Sequence, residues 1–150
     1  MTAPTIHATA VVIGEAGVLI RGNSGAGKSS LAFALVDAAR QRGLPAAFVA
    51  DDRVELTVVN GRVVARCPKT ILGLAERWGR GIEKVDCLPA AVIRLVVDLV
   101  EPAGVARMPE VRDQQAEIDG VSLPRQAIPV RQTLVSLPVL QAALAEMNKI

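Results

Sequence analysis

Hydrophobic positions in the first half of the chain come in short blocks whose period changes from one to the next. Ala8 to Ile13 is an almost unbroken apolar run, Gly17-Val18-Leu19-Ile20 is a second, and Gly14-Glu15-Ala16-Gly17 lies where they meet. Two β-prone runs about a glycine-bearing turn predict a hairpin, with one strand over about Ala8 to Ile13 and the next ending at Ile20. From Ser30 the period lengthens: Leu31, Leu35 and Ala38 share one helical stripe with Ala34 beside it. This helix runs to about Arg42, is stopped by Gly43, and is kept from restarting by Pro45. Ala46-Ala47-Phe48-Val49-Ala50 is again continuously apolar, as in a strand buried on both faces, expected beside the strand that ends at Ile20.

The middle of the chain is more β-like. Val54 to Val59 alternates imperfectly, and Arg62-Val63-Val64-Ala65 follows Asn60-Gly61, a strong hairpin signal between β-rich runs. Ala91 to Val100 predicts a long central strand. Glu101 to Arg131, with four prolines, reads as loops and short strands, and Leu140, Leu144 and Met147 predict a C-terminal helix after Pro138. The N-terminal third thus reads as α/β.

Composition narrows the function classes. A length of 150 residues with 51% hydrophobic residues suits one domain spanning the chain and excludes a disordered one. A net charge of +2, no Tyr, and only Phe33, Phe48 and Trp78 as aromatics argue against nucleic acid as a partner, since neither a basic footprint nor stacking platforms are present. No apolar stretch approaches roughly 18 residues, so no membrane span is expected. The first residues lack the pattern of a secretory signal, so a cytoplasmic protein is expected. Cys67 and Cys87 form neither a metal-ligand pattern nor a disulfide framework.

Between the second strand and the first helix stands Gly22-Asn23-Ser24-Gly25-Ala26-Gly27-Lys28-Ser29, a full match to G-x-x-x-x-G-K-[ST] in the strand–loop–helix context that motif needs. Such a loop aims backbone N–H groups and a helix N-terminus at phosphates. The expected nucleotide-binding residues are Gly22 to Ser29 together with Ser30. Lys28 is expected to reach the β- and γ-phosphates, and Ser29 to ligate Mg²⁺; ATP and Mg²⁺ are thus the expected cofactors. Asp51-Asp52, at the C-terminal end of a predicted buried strand, should face the same crevice. One carboxylate could hold Mg²⁺ directly or through water, and the other could accept the proton of an attacking hydroxyl. Neighbours on a strand point to opposite faces, so the two cannot share one task. Glu76 could be a further oxygen ligand, and Arg77 or Arg80 could touch phosphate. By local pattern alone His7, the only histidine, and Arg107, in a polar loop, would not be selected.

Taken in order, His7, the loop from Gly22 to Ser29, Val49-Ala50-Asp51-Asp52 and Glu76-x-x-Gly79-x-Gly81-Ile82 resemble the HPr kinase/phosphorylase family over about Ile6 to Val130. The short gap between the P-loop and Val-Ala-Asp-Asp makes the resemblance specific. It is a resemblance to the catalytic domain alone, whose core is related to ATP-dependent phosphoenolpyruvate carboxykinases, and it implies an α/β fold with a P-loop-containing core, a mixed β-sheet and flanking helices. It implies an ATP-dependent serine kinase acting on HPr, the phosphocarrier of the sugar phosphotransferase system, with phosphorolysis of phosphoserine-HPr as the reverse reaction. It also implies a homo-oligomer, a hexamer in this family. By the same resemblance Asp52 is the proton acceptor, Asp51 and Glu76 serve the metal beside Ser29, and His7 and Arg107 join Lys28 as catalytic residues. Two departures stand out. Trp78 occupies the place of an Arg in the family's Glu-x-Arg-Gly-x-Gly-Ile, and Arg131-Gln132-Thr133 follows Pro129-Val130 where the family has a Gly-Arg-Asn stretch linked to phosphorolysis. Kinase activity is therefore expected above phosphorylase activity. The alternatives are a nucleotide-binding regulator without catalysis, or a P-loop kinase of small molecules.

Overall fold

The computed structural model describes residues 4–147. In chain order the strands are β1 (Thr5–Ile6), β2 (Ala8–Ile13), β3 (Ala16–Arg21), β4 (Ala46–Ala50), β5 (Val54–Val59), β6 (Arg62–Arg66), β7 (Leu74–Arg77), β8 (Gly81–Lys84), β9 (Ala90–Val100), β10 (Gln115–Ile118) and β11 (Val121–Pro129). The helices are α1 (Lys28–Gln41) and α2 (Thr133–Met147). Most strands join one mixed sheet in the order β1-β5-β6-β9-β3-β2-β4, with β11 also on β9 and β10 on β11, while β7 and β8 form a separate hairpin.

Direction within this sheet decides where the chemistry collects. β2 and β3 are an antiparallel hairpin, β3 runs parallel to β9, and β9 runs parallel to β11. β4 pairs with β2, not with β3 as expected from the sequence; because that pairing is also antiparallel, β4 still runs the same way as β3. The carboxyl ends of β3, β4, β9 and β11 and the amino end of β2 therefore lie along one edge of the sheet, the edge where open α/β sheets bind ligands. β4 can sit at the sheet margin because residues 86–88 run along its free side, where Phe48 N donates to the Asp86 carbonyl and Leu88 N to the Phe48 carbonyl.

Two packed layers hold the sheet. On one face Val18, Ile20, Leu95 and Val97 pack under Leu31, Leu35 and Val36 of α1 and Leu140 and Leu144 of α2. On the other, Leu19, Ile93 and Val96 meet Val49, Val54 and Val63, where the sheet curls over itself. The buried stripe of α1 is Leu31, Ala32, Leu35, Val36 and Ala39; Ala34 and Ala38 are only half-buried. α1 ends in a Schellman arrangement, with Leu44 N donating to the Ala39 carbonyl at 2.9 Å and Gly43 N to that of Arg40 at 3.0 Å.

Several expectations need correction. The first turn narrows to Gly14-Glu15, and Gly17 belongs to β3. A Cβ at Gly17 would lie 2.2 Å from the Val92 carbonyl oxygen, so this glycine serves the close approach of β9 rather than a turn. The stretch expected as loops and short strands contains the nine-residue β11, whose Pro124 lies before the stretch paired to β9 and whose Pro129 closes it. α2 begins at Thr133, so Pro138 is inside the helix and not ahead of it. The Leu134 carbonyl thereby loses its intrahelical donor. Burial of Ser136, Leu140 and Leu144, spaced by four, compensates by fixing this helix on the core.

Candidate active site

The loop between β3 and α1 carries the first part of the site. Gly27 is the N-cap of α1 at φ 101°, a left-handed conformation open to glycine at little cost, and no side chain caps the helix there. The N–H groups of the first turn consequently open onto the loop, together with the positive end of the helix dipole. Lys28 is 7% exposed. Its Nζ donates to the carbonyls of Gly22 at 2.8 Å and Asn23 at 3.1 Å, which holds one ammonium charge at the mouth of the loop. The loop is fixed from behind by Arg131, whose N–H donates to the Ala26 carbonyl at 3.0 Å.

Asp51 and Asp52 divide as adjacent residues at a strand end should. Asp51 is 6% exposed, and its carboxylate is saturated by protein donors: the Ser29 hydroxyl at 2.6 Å and the Thr9 hydroxyl at 2.9 Å on Oδ1, and the Glu76 N–H at 2.8 Å on Oδ2. Asp52 is exposed and sits at φ 68°, a conformation that Asp tolerates better than most residues. Its N–H donates to Thr9 Oγ1 at 3.2 Å. Thr9, fully buried on β2, thus binds the side chain of one acid and the backbone of the other. A pairing irregularity between β2 and β4 at Ala10 and Val11, one residue beyond, is a bulge of the kind that redirects side chains beside functional sites.

A cleft of about 370 Å³ brings Ser24, Gly25, Gly27, Lys28, Ser29 and Ser30 together with Asp52, Glu76 and Trp78. His7, in the break between β1 and β2, puts Nδ1 3.9 Å from Asp52 Oδ1. Of the residues selected from the sequence, His7, Lys28, Ser29, Asp51, Asp52 and Glu76 are therefore gathered at one edge. Gly22, Asn23 and Ala26 complete the loop. Arg107 is not among the cleft residues; it lies exposed in the segment after β9 and makes no hydrogen bond or ion pair among the described residues. Arg77 does not reach toward phosphate. Its guanidinium lies 3.9 Å over the Phe33 ring and pairs with Glu83 and Asp37, so it fastens the β7–β8 hairpin to α1.

The donor set suits a hard cation. Mg²⁺ is held by one or two carboxylates or hydroxyls plus substrate phosphates rather than by an all-protein cage. The Ser29 proton is committed to Asp51, which leaves the lone pairs of Ser29 Oγ for a ligand, with Glu76 and Asp52 on the same cleft.

Sequence reasoning missed the residues that brace this edge. Arg21, the last residue of β3, grips Asp98 of β9 with two bonds of 2.7 and 2.8 Å, and Arg125 of β11 adds a third at 2.6 Å. Burial pushes the Asp98 carboxyl up, but hydrogen bonds and charge from Arg21 and Arg125 outweigh it and hold it below the usual carboxylate value. Their only sequence signal is a charge set in or beside an apolar run: Arg21 ends β3, while Asp98 and Arg125 lie inside β9 and β11. Thr9 was hidden for a similar reason, as a β-branched residue where a strand wants one.

Residues 2–149 match the family model described as HPr Serine kinase C-terminal domain. The chain belongs to this family. It is 35% identical to an HPr kinase/phosphorylase of Azoarcus sp. (strain BH72) and 34% identical to one of Aromatoleum aromaticum, each match covering 93% of this chain and 46% of the relative. The chain thus spans about half the length of these relatives. The fold is similar to a solved structure of the Hpr(Ser) kinase/phosphatase from Coxiella burnetii, with a TM-score of 0.75 and 26% identity over 96% of this chain and 92% of that one. Membership in the HPr serine kinase C-terminal domain family agrees with the resemblance carried by the P-loop and Val49-Ala50-Asp51-Asp52. No helix among the described residues is long and apolar enough to cross a membrane.

Proposed function

We propose that this domain is an ATP-dependent protein serine kinase whose substrate is HPr. The observation that carries this reading is the single cleft lined by Lys28, Ser29, Asp52 and Glu76, with His7 beside Asp52. Gly25 to Ser29 and the N-terminus of α1 bind the phosphates, and Lys28 balances their charge. Asp52, exposed and without a strong protein donor on its carboxylate, accepts the proton of the serine hydroxyl as that oxygen approaches the γ-phosphate. His7 orients Asp52. Asp51 does not take part in proton transfer, because its oxygens are occupied by Ser29, Thr9 and Glu76. When bound, Mg²⁺ neutralises phosphate charge; Ser29 and Glu76 are the residues that would hold it, with Asp51 acting through Ser29. Arg107 is the one catalytic assignment that rests on the resemblance alone.

The domain is proposed to be cytoplasmic and a homo-oligomer, hexameric by its resemblance. The exposed apolar side chains of Met108 and Val111 support an association surface in the segment after β9. Phosphorolysis is expected to be the weaker activity, given Trp78 and Arg131-Gln132-Thr133. Incubation of the protein with HPr, ATP and Mg²⁺, followed by mass measurement, tests the proposal. One added phosphate on an HPr serine is the expected product; unmodified HPr with intact ATP sinks it.

A further inference from the structure

Trp78 stands at the tip of the β7–β8 hairpin with 85% of its surface exposed. It is not an isolated apolar residue, since the exposed Leu134 and Val135 line the same cleft, and such a grouped apolar surface marks a binding site. Trp78 borders two clefts that share a wall. One is the phosphate-facing cleft of Lys28 and Ser29. The other, of about 670 Å³, lies across Gly25, Gly27 and Ser30 and is bounded by Arg131, Gln132 and Thr133 and by Leu134 and Val135 at the start of α2. Leu134 and Val135 are exposed as well, and this second cleft is mainly apolar. Gly25, Gly27, Ser30 and Trp78 belong to both clefts, so a molecule held by its phosphates in the first extends naturally into the second.

A ligand matching this pair of clefts is anionic at one end and flat and apolar at the other. We propose that Trp78 recognises the purine base of the nucleotide, stacking on it and closing it against Leu134 and Val135. The inference rests on the reading of Gly22 to Ser29 as the nucleotide phosphate site and adds a base-binding residue to it. The Gln132 amide, which can both donate and accept, lies in the same cleft for the base edge. Because stacking uses a π-face common to all bases, Trp78 gives affinity with little discrimination between adenine and guanine.

Trp78 is the only tryptophan of the chain, so its emission reports on the base directly. The full chain is titrated with ATP, GTP and inorganic tripolyphosphate in the presence of Mg²⁺, with binding followed by calorimetry and by fluorescence. ATP and GTP are expected to change the emission, and tripolyphosphate to bind without changing it. Trp78→Ala is expected to weaken ATP about tenfold and leave tripolyphosphate affinity unaltered, with Trp78→Phe recovering most of the loss. Equal loss for both ligands, or no loss for either, overturns the inference. So does a Trp78→Ala variant with unchanged ATP affinity and a raised KM for HPr, which would give the indole to the protein substrate. If wild-type protein binds neither ATP nor tripolyphosphate, the phosphate site itself is wrong, an outcome distinct from failure of the stacking role alone.

Discussion

Oδ1 of Asp51 takes the Ser29 hydroxyl proton at 2.6 Å and so ties the first turn of α1 to the end of β4. A hydroxyl whose proton is fixed presents its lone pairs in a fixed direction, here toward the cleft. In the proposed kinase, Asp51 would therefore act on the cation through Ser29. Asp51→Asn keeps the size but loses the charge and one strong acceptor, and it is expected to lower the apparent affinity for Mg²⁺ roughly 10–100-fold. ATP binding without metal should change far less. Mg²⁺ titration of nucleotide binding checks this; an unchanged Mg²⁺ midpoint would remove Asp51 from the account.

Thr9 joins the two acids by donating to Asp51 and accepting from the Asp52 N–H. Thr9→Val removes both bonds without changing the shape and leaves a buried carboxylate short of a donor, at a cost of about 1–3 kcal/mol in stability. Thr9→Ser should retain most of both stability and activity. Chemical denaturation of the three proteins gives the comparison, and equal midpoints for Thr9→Val and wild type would contradict it.

The Arg21–Asp98–Arg125 cluster predicts how acid unfolds the domain. The folded Asp98 carboxyl titrates below its ordinary value of 3.8, so its contribution is present above that value and is lost as pH falls through it toward the folded value. Asp98→Asn should be less stable than wild type at neutral pH, with the two stability curves converging as pH drops below about 4. Denaturant midpoints measured across that range read the convergence. Parallel curves would show that the cluster does not govern the acid limb.

Much of this architecture is legible in the residue pattern because local rules dominate there. The β2–β3 hairpin, the P-loop, α1 with its Gly43 stop and the Asn60-Gly61 turn each follow from a few neighbouring residues. Long-range choices are less legible. Nothing local indicates that β4 takes β2 as its partner, or that Gly17 is needed because Val92 passes so close. Pro138 reads as a helix boundary, yet the packing of Ser136, Leu140 and Leu144 overrides that signal. At the site, charged residues with motif spacing could be selected in advance, whereas Thr9, Arg21, Asp98 and Arg125 act only through partners distant in sequence. Arg77 shows the converse. Its loop position suggests a phosphate ligand, yet Phe33, Asp37 and Glu83 occupy its guanidinium.

The position of Asp52 yields the most direct test. Asn tolerates the left-handed backbone at φ 68° and preserves the Thr9 contact through the backbone, so Asp52→Asn should change the chemistry alone. Single-turnover transfer from γ-labelled ATP to an HPr serine is measured for both proteins alongside ATP affinity. A fall in transfer rate of about 10²–10⁴-fold with ATP affinity unchanged is the predicted result. Transfer by Asp52→Asn at the wild-type rate would contradict the assignment of Asp52 as the group that takes the serine proton.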